Sequence, residues 1–412
     1  MPNGLTPVDL SIGERIALWR NRNGLTQEEA AGLAGVSVSL WRKWETGARA
    51  VARFSQLVNI AQALGVDDLR HLTGQPYALS PGGEPHHEAV GPLRTALARH
   101  PALAGRELPP NLGQLTERVN RAWAAAQAAS PWRYAETGAV LPDLLLDAEA
   151  AIRAFTDERM HARAVRTAGA AYLLARAWAK WVGEHDLALV CGERSLTVAQ
   201  RGSDPGLLGA AAWNMAQALS TRGDAEPAAA VVDDALGILA AEVATDTAPP
   251  DLVSSWGALH LIGMVAAVRS DDRPRARRML RTAAQAAARL GGDRNDWWMA
   301  FGPTNVAIHR VSHAVELGHS RTAVRGATGL RVTLAPSVER RVSHRLDLAQ
   351  SHTRLREDDP ALAALLAAEA ESPEQVQYSP VARASIREML RRETPRTRPT
   401  LRPLAARLGV LD

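Results

Sequence analysis

The chain has 412 residues, too many for one hydrophobic core, so two or more domains or an extended repeat array are expected. Apolar residues make up 46%, enough for a folded protein, and the formal charge of +4 permits a nucleic-acid partner without requiring one. A single cysteine, Cys191, excludes an internal disulfide framework and fits a reducing compartment. Ala, Leu and Arg dominate, period-two runs of Val, Ile and Thr are scarce, and Lys43 and Lys180 are the only lysines. That composition predicts an all-α protein. The opening residues "MPNGLTPVDLSIGERI" lack the apolar centre of a signal peptide. The most apolar run, 168–182, is interrupted by Arg176 and Lys180, short of the roughly 18 residues a bilayer span needs. A soluble, cytoplasmic protein with no membrane partner is expected.

In "SIGERIALWRNRNG", Ile12, Ile16 and Trp19 share one helical face, with Ser11 as N-cap and Gly24 as the stop. Thr26 opens a second helix, and Glu29 three residues on completes a capping-box pattern. Ser37 caps a third, whose inner face is Val36, Leu40, Trp41 and Trp44. A fourth, 53–64, closes the bundle with Phe54, Leu57, Ile60, Ala61 and Leu64. Ala30, Ala31 and Ala34 let the second helix lie close to the third across the Gly35 turn. The two tryptophans supply apolar bulk to a very small core. Arg42 and Lys43 fall on the opposite face, the layout of a helix-turn-helix whose second helix enters the major groove.

The pieces "LTQEE", "AGVS", "WRKWETG" and "LVNIAQALGV", spread over 13–66, resemble the XRE family of lambda-repressor-like DNA-binding domains. The resemblance implies a five-helix-type domain over 1–72 that binds double-stranded DNA. It implies that Gln27 grips a phosphate. Val38, Ser39, Arg42 and Lys43, with the capping Ser37 beside them, then face the bases. Arg49 and Arg53 take the basic positions near the minor groove, and Arg20 pairs internally with Glu45. Arg can fork onto guanine O6 and N7, and Ser is an adaptable donor or acceptor. Two positions depart from the family: Trp41 replaces a small aliphatic and Ala30 replaces a leucine, a pair expected to compensate in volume. Residues 1–72 carry eight Lys/Arg against seven Asp/Glu, so attraction to phosphate alone should be modest.

Residues 73–90 read as a linker rich in Pro and Gly, with His86 and His87 in a solvated loop. Beyond it the chain is helical almost throughout. Breaks near Gly183, Gly223, Ser270, Gly318 and Glu357 recur every 39 to 48 residues, which predicts a tetratricopeptide-like (TPR-like) α-solenoid of helix hairpins over 91–412. In such solenoids the first helix of each pair lines the concave face; here these are 158–182, 205–222, 251–269, 296–317 and 337–356. They carry the ligand-binding candidates Trp213, Asn214, Trp256, His260, Trp298, Phe301, Asn305, His309 and His344. The spacing of Trp298, Phe301 or Gly302, Asn305 and His309 predicts one shared helical face, and His344 and Asp347 lie a turn apart.

The composite resembles bacterial regulators, actinobacterial ones among them, that sense peptides and related signals through such arrays. It implies a sequence-specific transcriptional regulator, homodimeric, controlled by a peptide or small-molecule effector. In the peptide sensors, concave-face Asn side chains clamp the peptide backbone, which points to Asn214 and Asn305. The alternative is a protein–protein adaptor tethered to DNA. No cofactor, metal site or catalytic residue is expected: no phosphate-binding glycine loop, nucleophile elbow or carboxylate pair stands out, and His309 and His313 at i, i+4 with His344, which could be read as a metal site, lack a His-Glu-x-x-His pattern or a cysteine pair. Six Arg between 391 and 407 against one Glu suggest a basic tail or, preferably, a capping helix with solvated arginines.

Overall fold

The computed structural model describes residues 11–51, 54–66, 70–73, 87–99 and 110–411. The chain divides into two compact units, 1–86 and 87–412, and among the described residues every regular element is helical.

In the first unit, α1 (Ile12–Arg22) and α2 (Gln27–Leu33) each begin with a reciprocal capping box, Ser11 with Glu14 and Thr26 with Glu29. Ser37 caps α3 (Val38–Glu45), and α4 (Phe54–Ala63) and α5 (Arg70–Thr73) complete the unit. Ile16, Ala30, Ala31, Trp41, Trp44, Ile60 and Leu64 form its core. Trp41 and Trp44 meet edge to face with centroids 6.1 Å apart. Gly13 is required where it stands: a Cβ there would overlap the Trp44 carbonyl oxygen, so only glycine lets α1 rest on the end of α3.

The second unit opens with α6 (Val90–Ala98), α7 (Leu112–Gln127) and α8 (Arg133–Ala154). Hairpins follow: α9 (Glu158–Trp181) with α10 (His185–Ala199), α11 (Pro205–Arg222) with α12 (Ala225–Val243), and α13 (Pro250–Arg269) with α14 (Arg273–Leu290). A 3₁₀ turn, Asp296–Trp298, precedes α15 (Pro303–Glu316) and α16 (Ser320–Ala327). Then come α17 (Val338–Arg354), α18 (Asp358–Glu371), α19 (Pro373–Gln377), α20 (Pro380–Leu390) and α21 (Arg398–Arg407). Within each hairpin the two helices pack together, and α9, α11, α13, α15 and α17 also pack in succession, so the first helices form one continuous layer.

The hairpin turns share one device. A left-handed residue closes each: Gly183, Gly223, Asp271, Gly318 and Arg356, with φ of 83°, 97°, 59°, 76° and 61°. Later elements fold back on earlier ones. Arg133 at the start of α8 donates to Ser372 Oγ at 3.0 Å, and Glu374 of α19 accepts from the Tyr134 backbone at 2.7 Å.

Two expectations change. His87 does not lie in a solvated loop: it is buried, edge-on to Trp178 at 5.1 Å, because Ala89 fits over Gly138 and draws the chain onto α8 and α9. Residues 74–86 of the expected linker, including His86, lie outside the described residues. The most apolar helix is α13 rather than 168–182. Among the described residues it alone is long and apolar enough to cross a bilayer, with mean hydropathy 1.4, yet 83% of that window is buried by its neighbours. The C-terminal arginines follow the capping reading. Arg392 pairs with Asp358 at 2.7 Å and Arg407 with Glu369 at 2.6 Å, over a core that includes Leu401 and Leu404.

A Cβ on Gly257 would fall inside the ring of Phe301. Gly257→Ala should therefore expel Phe301 and lower stability by about 2–3 kcal/mol, as overpacking does. Urea unfolding of parent and variant measures this, and an unchanged midpoint would contradict the packing.

Candidate functional site

In the first unit, turning Trp41 and Trp44 inward leaves Ser39, Arg42 and Lys43 exposed on α3. Val38 is half-buried against the core, and Ser37 is spent on its cap, its Oγ accepting from Leu40 N at 3.3 Å. Glu45 is the hub of this face. It accepts from Arg20 at 2.5 Å, Gln27 at 2.6 Å and the Trp41 indole at 2.7 Å. Burial pushes its carboxyl up, but these donors outweigh burial and hold it below the usual range. The other end of the Gln27 amide accepts from Arg42 Nε at 2.9 Å. A chain from Glu45 through Gln27 thus aims Arg42 outward. Arg49 is half-buried, its backbone N–H on the Lys43 carbonyl at 2.9 Å; Arg53 lies outside the described residues.

In the second unit the layer of first helices borders two cavities, an outer and an inner chamber, that meet at Trp298. The outer one is a cleft of about 470 Å³ between α7, α9, the start of α13 and the segment before α15. Arg163, Arg166 and Arg294 line it with Asp251, Asp296 and Trp297. Arg166 lies 4.5 Å over the Trp297 ring and pairs with Asp204 and, at 3.6 Å, with Asp251. The inner chamber, about 30 Å³, is lined by Arg176, Lys180, Trp181, Trp213, Glu339 and Arg340, among others. Trp298 borders both, stacked on Trp123 at 4.8 Å and 3°.

The wall that carries Trp298 is strained. Trp297, Trp298 and Ala300 hold φ of 50°, 56° and 51°, left-handed values uncommon for side-chain-bearing residues. Polar anchors keep them there: Asn295 Oδ1 accepts from Ala300 N at 3.2 Å, Gln127 Nε2 donates to the Trp298 carbonyl at 3.0 Å, and Ser254 Oγ donates to Asp296 at 2.6 Å. The helix begins only at Pro303, with Asp293 accepting from Thr304 N at 2.9 Å. The expected shared face of Trp298, Phe301, Asn305 and His309 is therefore corrected. Only Asn305 and His309 sit on α15, and Phe301 turns the opposite way into the core.

Of the ligand candidates, Trp213 and Trp298 line a chamber. Asn214 lies behind Arg176, its Oδ1 accepting from Arg176 Nε and its Nδ2 buried without a partner. Trp256 and His260 pack on each other at 4.8 Å, with His260 Nδ1 on the Trp256 carbonyl at 2.8 Å. Asn305, His309 and His344 are buried; among the described residues Asn305 Oδ1 and His344 Nδ1 have no partner. His309 Nδ1 donates to the Asn305 carbonyl at 3.0 Å. Sequence reasoning missed the charged lining. Its signal was present, since Arg176 and Lys180 break an apolar run four residues apart and so share a face.

Residues 11–72 match a family model described as a helix-turn-helix domain. The crystal structure of Bacillus thuringiensis PlcR in complex with the peptide PapR7 and DNA is similar to this chain at 11% identity and a TM-score of 0.33, covering 84% of this chain and 98% of that one. No curated protein matches the sequence.

Burial, reinforced at His309 by Arg340 and at His344 by Arg345, depresses both histidines to about 4. The unfolded chain takes up protons near pH 6.5 that the folded chain refuses until about pH 4, so stability falls as pH drops through that window. Burial pushes the Asp347 carboxyl up to about 7, which acts in the opposite sense between pH 7 and 4. The contrast between parent and a His309→Gln, His344→Gln double variant isolates the histidines. The variant should lose about 2 kcal/mol less per histidine on going from pH 7 to 4.5, read by urea unfolding. Equal losses would mean that these imidazoles are already charged or solvated.

Proposed function

We propose that the chain is a DNA-binding transcriptional regulator of the XRE type, cytoplasmic and homodimeric, whose larger unit senses an effector. In this reading residues 1–72 bind double-stranded DNA. Residues 73–90 are then the linker and 91–412 the effector-sensing array, with His87 already packed against Trp178. The observation that carries the reading is the exposed row Ser39, Arg42 and Lys43 on the second helix of a helix-turn-helix, its other face sealed by two tryptophans. Arg42, held by Gln27 through Nε, keeps its terminal amino groups for a guanine edge. Two such helices about 34 Å apart suit half-sites one turn apart, which a dimer supplies.

The effector, a peptide or small molecule, is assigned to the two chambers that meet at Trp298. The strained Trp297–Trp298 wall supports a sensing role, because an effector that prefers the relaxed or the strained wall shifts the population between two array conformations. Selection from random duplexes, followed by gel shifts, tests the DNA half. Arg42→Ala and Lys43→Ala should each cost about 1–3 kcal/mol of specific binding and relax one position of the selected site. If the full chain selects no sequence, the regulator reading fails and the adaptor reading takes its place.

A further inference from the structure

We propose that the inner chamber is a carboxylate seat: the effector carries a carboxylate that docks on Arg176, Lys180 and Arg340 behind Trp298. This deepens the sensing reading above and rests on it.

The first support is an arginine out of balance. Arg176 is 3% exposed in the last two turns of α9. Its guanidinium lies 5.1 Å over the Trp213 ring, its Nε donates to Asn214 Oδ1, and among the described residues no carboxylate pairs with it. Arg133 shows what a structural buried arginine looks like in this same fold. Its nitrogens reach Ser372 Oγ and the Ala126 carbonyl, both at 3.0 Å, and also Tyr134 and Gln375. Arg176 makes one bond where Arg133 makes four. Buried charge without a partner is costly, and a chain retains it where a ligand supplies the missing charge.

The second support is the charge of the chamber. Three cations and one carboxylate line it. Lys180 Nζ lies 3.4 Å from Glu339 Oε1, the same oxygen that Arg340 Nη2 reaches at 2.7 Å, so Glu339 is shared and Arg176 is left over. Burial accordingly lowers Arg176 to about 9 and Lys180 to about 8. An unpartnered amide donor, Asn214 Nδ2, is buried directly behind.

The third support is size. A cavity needs roughly 10–15 Å³ of such volume per water. At about 30 Å³ the chamber holds two or three oxygen-sized atoms, which suits a carboxylate and not a ring or a chain. The body of the ligand must then extend past Trp298 into the 470 Å³ cleft, whose aromatic wall stands on strained backbone. The same chemistry is offered by a small organic acid and by the C-terminus of a peptide.

The test uses the full chain and two probe arms. One arm compares acetate and phenylacetate with acetamide and phenylacetamide. The other compares a pentapeptide library with free and with amidated C-termini. Fluorescence reads the chamber directly, since Trp181, Trp213 and Trp298 line it, and melting temperature reads binding independently. Acids should bind at least tenfold tighter than amides in one arm, and the arm identifies the source. The double variant Arg176→Met, Asn214→Leu should melt no lower than the parent and lose that preference. Should it fail to fold, Arg340→Gln is expected to weaken acid binding at least tenfold. No preference for acid over amide in either arm, or a preference undiminished in the variants that fold, overturns the proposal. Duplex selection on the same preparations separates the two failures: intact DNA selectivity without acid preference sinks only the carboxylate seat.

Discussion

Backbone-close packing of the first helices is the constraint on which the larger unit depends. Gly169 faces Leu207, Gly209 faces Ser255 at 2.7 Å for a built Cβ, and Gly257 faces Phe301. Each contact joins α9, α11 or α13 to the next layer at a position where a methyl group does not fit. Small residues at the seams push bulk elsewhere. Arg176, Lys180 and Trp213 of these helices line the inner chamber together, while Trp178 is packed into the core against α8.

The smaller unit solves a different problem with the same economy. Its core is too small for many large side chains, so two tryptophans fill it while Ala30 and Ala31 make room. The indole of Trp41 needs a partner and finds Glu45, which also takes Arg20 and Gln27. One carboxylate therefore locks α1, α2 and α3 together and orients the exposed face of α3. Trp41 brings its own hydrogen bond to this core, which volume alone does not capture.

Much of the architecture was legible because it rests on local rules. Capping residues and apolar periodicity placed α1 to α4 and the array helices α9, α11, α13 and α17 nearly to their ends, and the spacing of the breaks pointed to the hairpins, whereas α6 to α8 were not delineated. The Arg20–Glu45 pair was legible only by resemblance. The segment 293–302 was not legible, for a tertiary reason. Trp298 and Phe301 keep a helical spacing with Asn305 and His309, yet Phe301 is captured by the gap over Gly257 and the helix begins only at Pro303, where Asp293 accepts from the Thr304 N–H of its first turn. The Gly-Pro pair at 302–303 was the available warning. The inner chamber was hidden for another reason. Lys180 and Glu339 lie 159 positions apart, and no periodicity links residues brought together by the curl of a whole array.

The Gln27 amide has a consequence for how α3 meets its target. An arginine normally surrenders a large rotameric entropy when it is immobilised. Arg42 has surrendered part of it already, because Gln27 holds its Nε in the free protein. Yet Gln27 has only one amide to give. If a phosphate draws that amide away, the arginine is released, so the grip on the sugar-phosphate strand and the rigidity of the reading residue trade against each other through a single side chain.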